Sequence, residues 1–139
     1  MLYAVCGFYF STNRERVILI NKKRPDWQAG HWNGVGGKIE GNESRLQAMR
    51  REFEEETGVY VEGWEEFCDH RDLKNLFQVT YFRSFGDDVR QCRTKTDEEV
   101  LDFPIGAVFT LPVVHNLVWL IPMALDPTLR SAKTIWRDP

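Results

Sequence analysis

The pattern of apolar and polar positions divides the chain into short strands and two helices. Leu2–Phe10 is rich in aromatic and β-branched residues and predicts a strand, and the apolar run RVILIN from Arg16 to Asn21 predicts a second, buried one. STNRE between them reads as a turn. Residues 24–37 carry one proline and four glycines and predict mostly loop. Strand patterns return at residues 62–70 and 75–85. Gly86-Asp87-Asp88 is a turn signal, residues 89–95 predict the return strand of that hairpin, and residues 100–103 another short strand. Helical spacing starts near Ser44 and again at residues 113–125. Strands that surround two helices in mixed order predict a mixed sheet with helices packed against it.

The first helix carries its own boundaries. Ser44 and Gln47 have the spacing of a capping box, and Gly58 suits a C-terminal cap. At about 100° per residue, Leu46, Met49 and Phe53 form a stripe that should face the core. Glu52, Glu55 and Glu56 share the adjacent face, while Arg50 and Glu54 fall on the solvated side. Crowded carboxylates repel one another. Two readings follow: a salt-bridged surface helix, with Arg50 and Arg51 offsetting the charge, or a set of oxygen ligands for a hard cation such as Mg²⁺ or Mn²⁺.

Composition narrows the class. The chain has 139 residues, with 42% hydrophobic and 28% charged content, as in an ordinary globular protein. A formal charge of −3 offers no general basic surface for a nucleic-acid backbone, so duplex nucleic acid is not an expected partner. Cys6, Cys68 and Cys92 make neither a disulfide framework nor a metal knuckle and suit a reducing compartment. MLYAVCGFYF has no basic leader, which argues against a signal peptide. The most apolar stretch, residues 105–125, contains Pro112, His115, Asn116 and Pro122; it reads as a strand end and a core helix, not a membrane span. The expectation is a cytoplasmic protein, monomer or homodimer, with no membrane partner.

Gly37, Glu43 and the run Arg51-Glu52-Phe53-Glu54-Glu55-Glu56-Thr57-Gly58-Val59 match every specified position of the Nudix box, and on these residues the chain resembles the Nudix hydrolases. The resemblance implies an α+β fold, an α/β/α sandwich around a central mixed sheet, in one domain over residues 1–139. It implies divalent-metal-dependent hydrolysis of a nucleoside diphosphate linked to another group. Glu52, Glu55, Glu56 and the carbonyl of Gly37 are then the metal ligands, Mg²⁺ first and Mn²⁺ as the alternative. Arg51 orients the glutamates, and Glu43 is a supporting acid. In Lys95-Thr96-Asp97-Glu98-Glu99, Glu98 best matches a further ligand or general base, with Glu99 as its rival and a solvated loop as the plain reading.

The flank KKRPDWQAGHWNGVGGKIE is similar to the MutT-like branch, which acts on oxidised purine nucleoside triphosphates. This nominates Lys23, Trp27, Asn33, Gly36, Lys38 and Asn116 as contacts for a small nucleotide. Lys22 or Lys23 can meet phosphate, Trp27 can stack on a base, and Asn33 offers both a donor and an acceptor. Gly36-Gly37 allows close backbone approach. Each has a plainer reading: Trp32 as core, Trp27 as a loop cap, the lysines as solvated, Asn33 as a turn residue and Asn116 as a helix cap. His115-Asn116 stands where some sanitising members carry two acids. The expected reaction is (d)NTP to (d)NMP and pyrophosphate. The alternatives are another nucleotide, such as a 5′-triphosphate RNA end or a nucleotide sugar, or a non-catalytic nucleotide-binding module.

Overall fold

Strand β1, Leu2–Ser11, organises the sheet by pairing on both sides. A computed structural model describes residues 1–74 and 76–136. β1 runs antiparallel to β2 (Arg16–Asn21) and to β4 (Val35–Lys38), and parallel to β6 (Phe77–Gly86) along its whole length. β3 (Trp32–Asn33) and β7 (Val100–Pro104) pair with β2; β5 (Glu65–Asp72) pairs with β6, and β8 (Ala132–Trp136) lies parallel to β5. The result is a mixed eight-stranded sheet.

Strand alternation feeds two cores, one on each face of the sheet. Val5 and Tyr9 of β1, with Ile18 and Ile20 of β2, pack against Met49 and Phe53 of helix α1 (Arg45–Thr57) and against Trp64. Cys6, Phe8 and Phe10, with Val17 and Leu19, pack against Leu117, Leu120 and Ile121 of helix α3 (Leu117–Leu125). A single turn of helix, α2 (Ile105–Val108), follows β7. The expected α/β/α sandwich is therefore present. Among the described residues no helix is long and apolar enough to cross a membrane.

Several boundaries differ from the sequence reading. Residues 89–95 form no return strand. β6 is already flanked by β1 and β5 and has no free edge. Val89–Gln91 makes a 3₁₀ turn instead, and the Arg93 N–H donates to the carbonyl of Thr57 at 2.9 Å. Residues 24–37 are not all loop, since β3 and the start of β4 lie within them. The second helix starts at Leu117, not Val113, because Val113 and Val114 lie against Trp32: the Val114 N–H donates to the Trp32 carbonyl at 2.9 Å. α2 and β8 had no counterpart in the pattern. The predicted start of β6, Asn75, lies outside the described residues, as do residues 137–139.

Candidate active site

Helix α1 is fixed at both ends and along one side. The Gln47 N–H donates to Ser44 Oγ at 3.1 Å and the Ser44 N–H to Gln47 Oε1 at 2.8 Å, completing the capping box. Gly58 closes the helix at φ 79°, a left-handed conformation that glycine adopts without strain. Phe53 meets Tyr9 and Trp64 edge to face, at centroid separations of 5.4 and 5.1 Å. Met49 and Phe53 are fully buried, while Leu46 is only half-buried at the rim of the core. The acidic face is thus held rigidly beside the sheet.

Glu52 lies against β4. A Cβ at Gly37 would collide with its carboxylate, and a Cβ at Gly36 with the carbonyl of Val5 in β1. Two glycines are therefore what allow strand, sheet and carboxylate to come this close. Glu52 is 8% exposed. Burial raises its pKa, and the hydrogen bond from Arg51 works against that rise.

Arg51 is the hub of the N-terminal half of the acidic face. It donates to both oxygens of Glu43 at 2.7 and 2.9 Å, to Glu52 Oε1 at 2.9 Å, to Glu55 Oε2 at 3.2 Å and to the Lys38 carbonyl at 3.1 Å. These hydrogen bonds hold the Glu43 carboxyl below the usual range. A planar guanidinium with five donors can hold three carboxylates and a carbonyl at once; an ammonium cannot.

The other half is organised by the loop before β7. Thr96 Oγ1 donates to Glu56 Oε2 at 3.0 Å and accepts from the Glu98 N–H at 3.2 Å, so one hydroxyl joins the two acids. Glu98 is buried and Glu99 is exposed, which separates the two rivals. Glu98 accepts from Lys22 Nζ at 3.3 Å and from the Lys23 N–H at 2.7 Å. The Glu56 pKa is raised, first by burial and then by the charge of Glu98, while Thr96 and Lys22 oppose the rise.

Among the described residues no three Asp, Glu, His or Cys side chains stand together as a ready metal-binding group. Arg51 holds Glu52 and Glu55, and Thr96 holds Glu56. The donor set nevertheless fits a hard divalent cation: oxygen atoms only, a buried Glu52 and a half-buried Glu56 that a cation would hold in the charged form, and a glycine at 37 that makes room for the Glu52 carboxylate.

The nominated substrate contacts behave differently from one another. Lys23 and Lys38 are exposed, and their backbone groups serve Glu98 and Arg51. Trp27 is 64% exposed, in a 3₁₀ turn over Asp26–Gln28. Trp32 is core, edge to face with Phe103. Asn33 is bonded within its own loop, accepting from the Gly34 N–H at 2.8 Å and donating to Gln28 Oε1 at 3.1 Å. Asn116 does not cap α3 with its side chain. It is 6% exposed and donates through Nδ2 to the Tyr81 hydroxyl at 3.1 Å, while its Oδ1 has no hydrogen-bond partner. Cys6 lies opposite Tyr81 in the β1–β6 register and its thiol reaches Asn33 Oδ1. Tyr81 and Thr96 were not foreseen. Thr96 adjoins a marked acidic run, but nothing in an aromatic strand singles out Tyr81.

The NUDIX domain family model matches residues 2–118. An oxidized purine nucleoside triphosphate hydrolase of Danio rerio is 44% identical over 45 residues, which is 32% of this chain and 29% of the relative. A CTP pyrophosphohydrolase of Escherichia coli K12 is 36% identical over 56 residues, 40% of this chain and 42% of that one. The chain thus matches less than half the length of either curated relative. The NUDIX domain of Shewanella oneidensis NrtR, solved in complex with ADP ribose, superposes with a TM-score of 0.75 at 21% identity, over 89% of this chain and 86% of that one; this likeness is one of fold. With its matched domain, its sandwich and its acidic helix, the chain belongs to the NUDIX family, whose hydrolases act on nucleotide derivatives and generally use divalent metals.

Proposed function

We propose that this protein hydrolyses a nucleoside triphosphate, an oxidised purine (d)NTP in the first instance, to the monophosphate and pyrophosphate. The observation that carries this reading is the buried carboxylate of Glu52 against Gly37 of β4, with Glu56 and the buried Glu98 both bonded to Thr96 nearby. Gly37, Glu52, Glu55, Glu56 and Glu98 would hold Mg²⁺ or Mn²⁺. When bound, the cation neutralises charge on the diphosphate and polarises the attacked phosphorus.

The chain's own residues do the rest. Arg51 fixes the rotamers of Glu52 and Glu55, a positioning role. Gly36 and Gly37 let β4 pack against the Val5 carbonyl and the Glu52 carboxylate, also a positioning role. The carboxylates of Glu56, bonded by the Thr96 hydroxyl, and of Glu98, whose backbone N–H donates to that same hydroxyl, are the candidate proton acceptors for the attacking water. Asn116, whose Nδ2 is bonded to Tyr81, offers Oδ1 as an acceptor for a base N–H or an exocyclic amino group. Asn33 has a weaker claim, because both ends of its amide are engaged. Lys23, Lys38 and Trp27 are exposed and free to meet phosphate and base.

The test is product analysis with Mg²⁺ and a panel of 8-oxo-dGTP, dGTP, dATP, dCTP, CTP, ADP-ribose and a dinucleoside tetraphosphate. Pyrophosphate released at least tenfold faster from 8-oxo-dGTP than from dGTP supports the oxidised-purine reading. A preference for CTP or ADP-ribose would replace the substrate and keep the chemistry. No turnover, with metal still bound, would leave RNA 5′ ends, nucleotide sugars or a purely binding role.

A further inference from the structure

We propose that Lys22 is a built-in counter-cation for Glu98, which it holds in place and for which it competes with the divalent ion. This rests on the reading above that Glu98 belongs to the metal site. Glu98 is buried, and a buried carboxylate left unpaired is costly. Its Oε2 is answered by the Lys23 N–H, a neutral donor that any residue but proline supplies. Its Oε1 is answered by Lys22 Nζ at 3.3 Å. Arg24 stands further off, at 3.8 Å, and is drawn outward to Asp97.

The Lys22 side chain is itself mostly buried, so it is not a solvated lysine at a strand end. Its backbone is clamped on both sides: the Lys22 N–H donates to the His31 carbonyl at 2.9 Å and its own carbonyl accepts from Gly30 at 2.7 Å. Its charge also acts on Glu56, the other acid bonded to Thr96. One ammonium thus acts on both the Glu98 carboxylate, which it bonds, and the Glu56 carboxylate, which Thr96 bonds. A second cation brought to them must work against that charge at short range, where the local dielectric is low. Lys22 then moves off Glu98, and a displaced ammonium on a four-carbon stem can follow the substrate phosphate. Removing Lys22 should therefore tighten metal binding and loosen the metal-free protein.

The experiment measures Mn²⁺ binding by calorimetry, and thermal melting with and without Mn²⁺, in the absence of nucleotide. Lys22→Met should bind Mn²⁺ about tenfold more tightly than the parent, the effect of about 1.4 kcal/mol of relieved repulsion. It should melt lower without metal and show a larger metal-induced rise in Tm. Lys22→Arg should stay close to the parent, and in Lys22→Met/Glu98→Gln, where both charges are gone, the gain should vanish. A merely structural lysine would lower Tm equally with and without Mn²⁺ and leave affinity unchanged; either result overturns the proposal. Should Lys22→Met fail to fold, Lys22→Gln takes its place: competition predicts Mn²⁺ affinity above that of the parent and of Lys22→Arg, and an unchanged affinity sinks the idea. Loss of Mn²⁺ binding in the parent itself would instead count against the metal site as a whole.

Discussion

Helices α1 and α3 cover opposite faces of one sheet, yet their ends are secured in different ways. α1 carries its own signals: a capping box at Ser44, a left-handed glycine at Gly58 and a stripe of two fully buried side chains. α3 has no side-chain cap, contains Pro122 and is apolar almost throughout. Its C-terminal carbonyls are collected from across the sheet by the buried Arg83 of β6, which donates to Met123 and Ala124 at 3.4 Å and to Asp126 at 3.2 Å. The comparison teaches that the acidic face of α1 is defined locally and the Asn116 end of α3 by the tertiary structure. Exposed charge can then be crowded onto α1 without endangering the fold, whereas Asn116 is only as well placed as the packing beneath α3.

The largest expected effect is on α1. Glu56→Gln should lower kcat by about 10²–10³-fold, roughly 3–4 kcal/mol of barrier, while Tm stays level or rises as repulsion is relieved. A variant that unfolds instead would break the contrast, since α1's charge would then be structural. Next comes Arg83→Met, which leaves the α3 carbonyls without their donor and should cost about 2–3 kcal/mol in urea melts. A cost below about 0.5 kcal/mol would mean that α3 needs no distant anchor. Asn116→Ala should raise the KM for the preferred nucleotide about tenfold with kcat little changed, as for loss of uniform binding; an unchanged KM would remove Asn116 from the base site. Smallest is Ser44→Ala, about 1 kcal/mol of stability with turnover per folded molecule retained. A loss larger than that of Arg83→Met would reverse the assignment of which helix depends on its own caps.

What could be read from the chain follows the same division. Local signals marked α1, its boundaries and its acidic face almost residue by residue. β1 and β2 were plain because each is a short apolar run buried on both faces. β4 was missed because glycine normally interrupts strands. Here glycine is required, since Gly36 lies against a carbonyl of β1 and Gly37 against Glu52. The start of α3 was misplaced because a backbone exchange between Trp32 and residues 112–114, far away in sequence, overrides helical spacing. Glu98 could be proposed from its acidic run, but its preference over Glu99 comes only from burial. Asn116 was placed at the head of the helix, while its partner Tyr81 depends on a strand pairing that no local pattern encodes.

β1 has one further implication. Its odd-numbered side chains floor helix α1 and its even-numbered ones pack under α3. Inserting or deleting a single residue near its middle would turn both sets over together. Either face can therefore be retuned through the loops and through α3, but not through this strand, where any frame change is felt twice. Libraries meant to shift substrate preference should leave Val5–Phe10 in register and place length variation in the segments before β3 and β7.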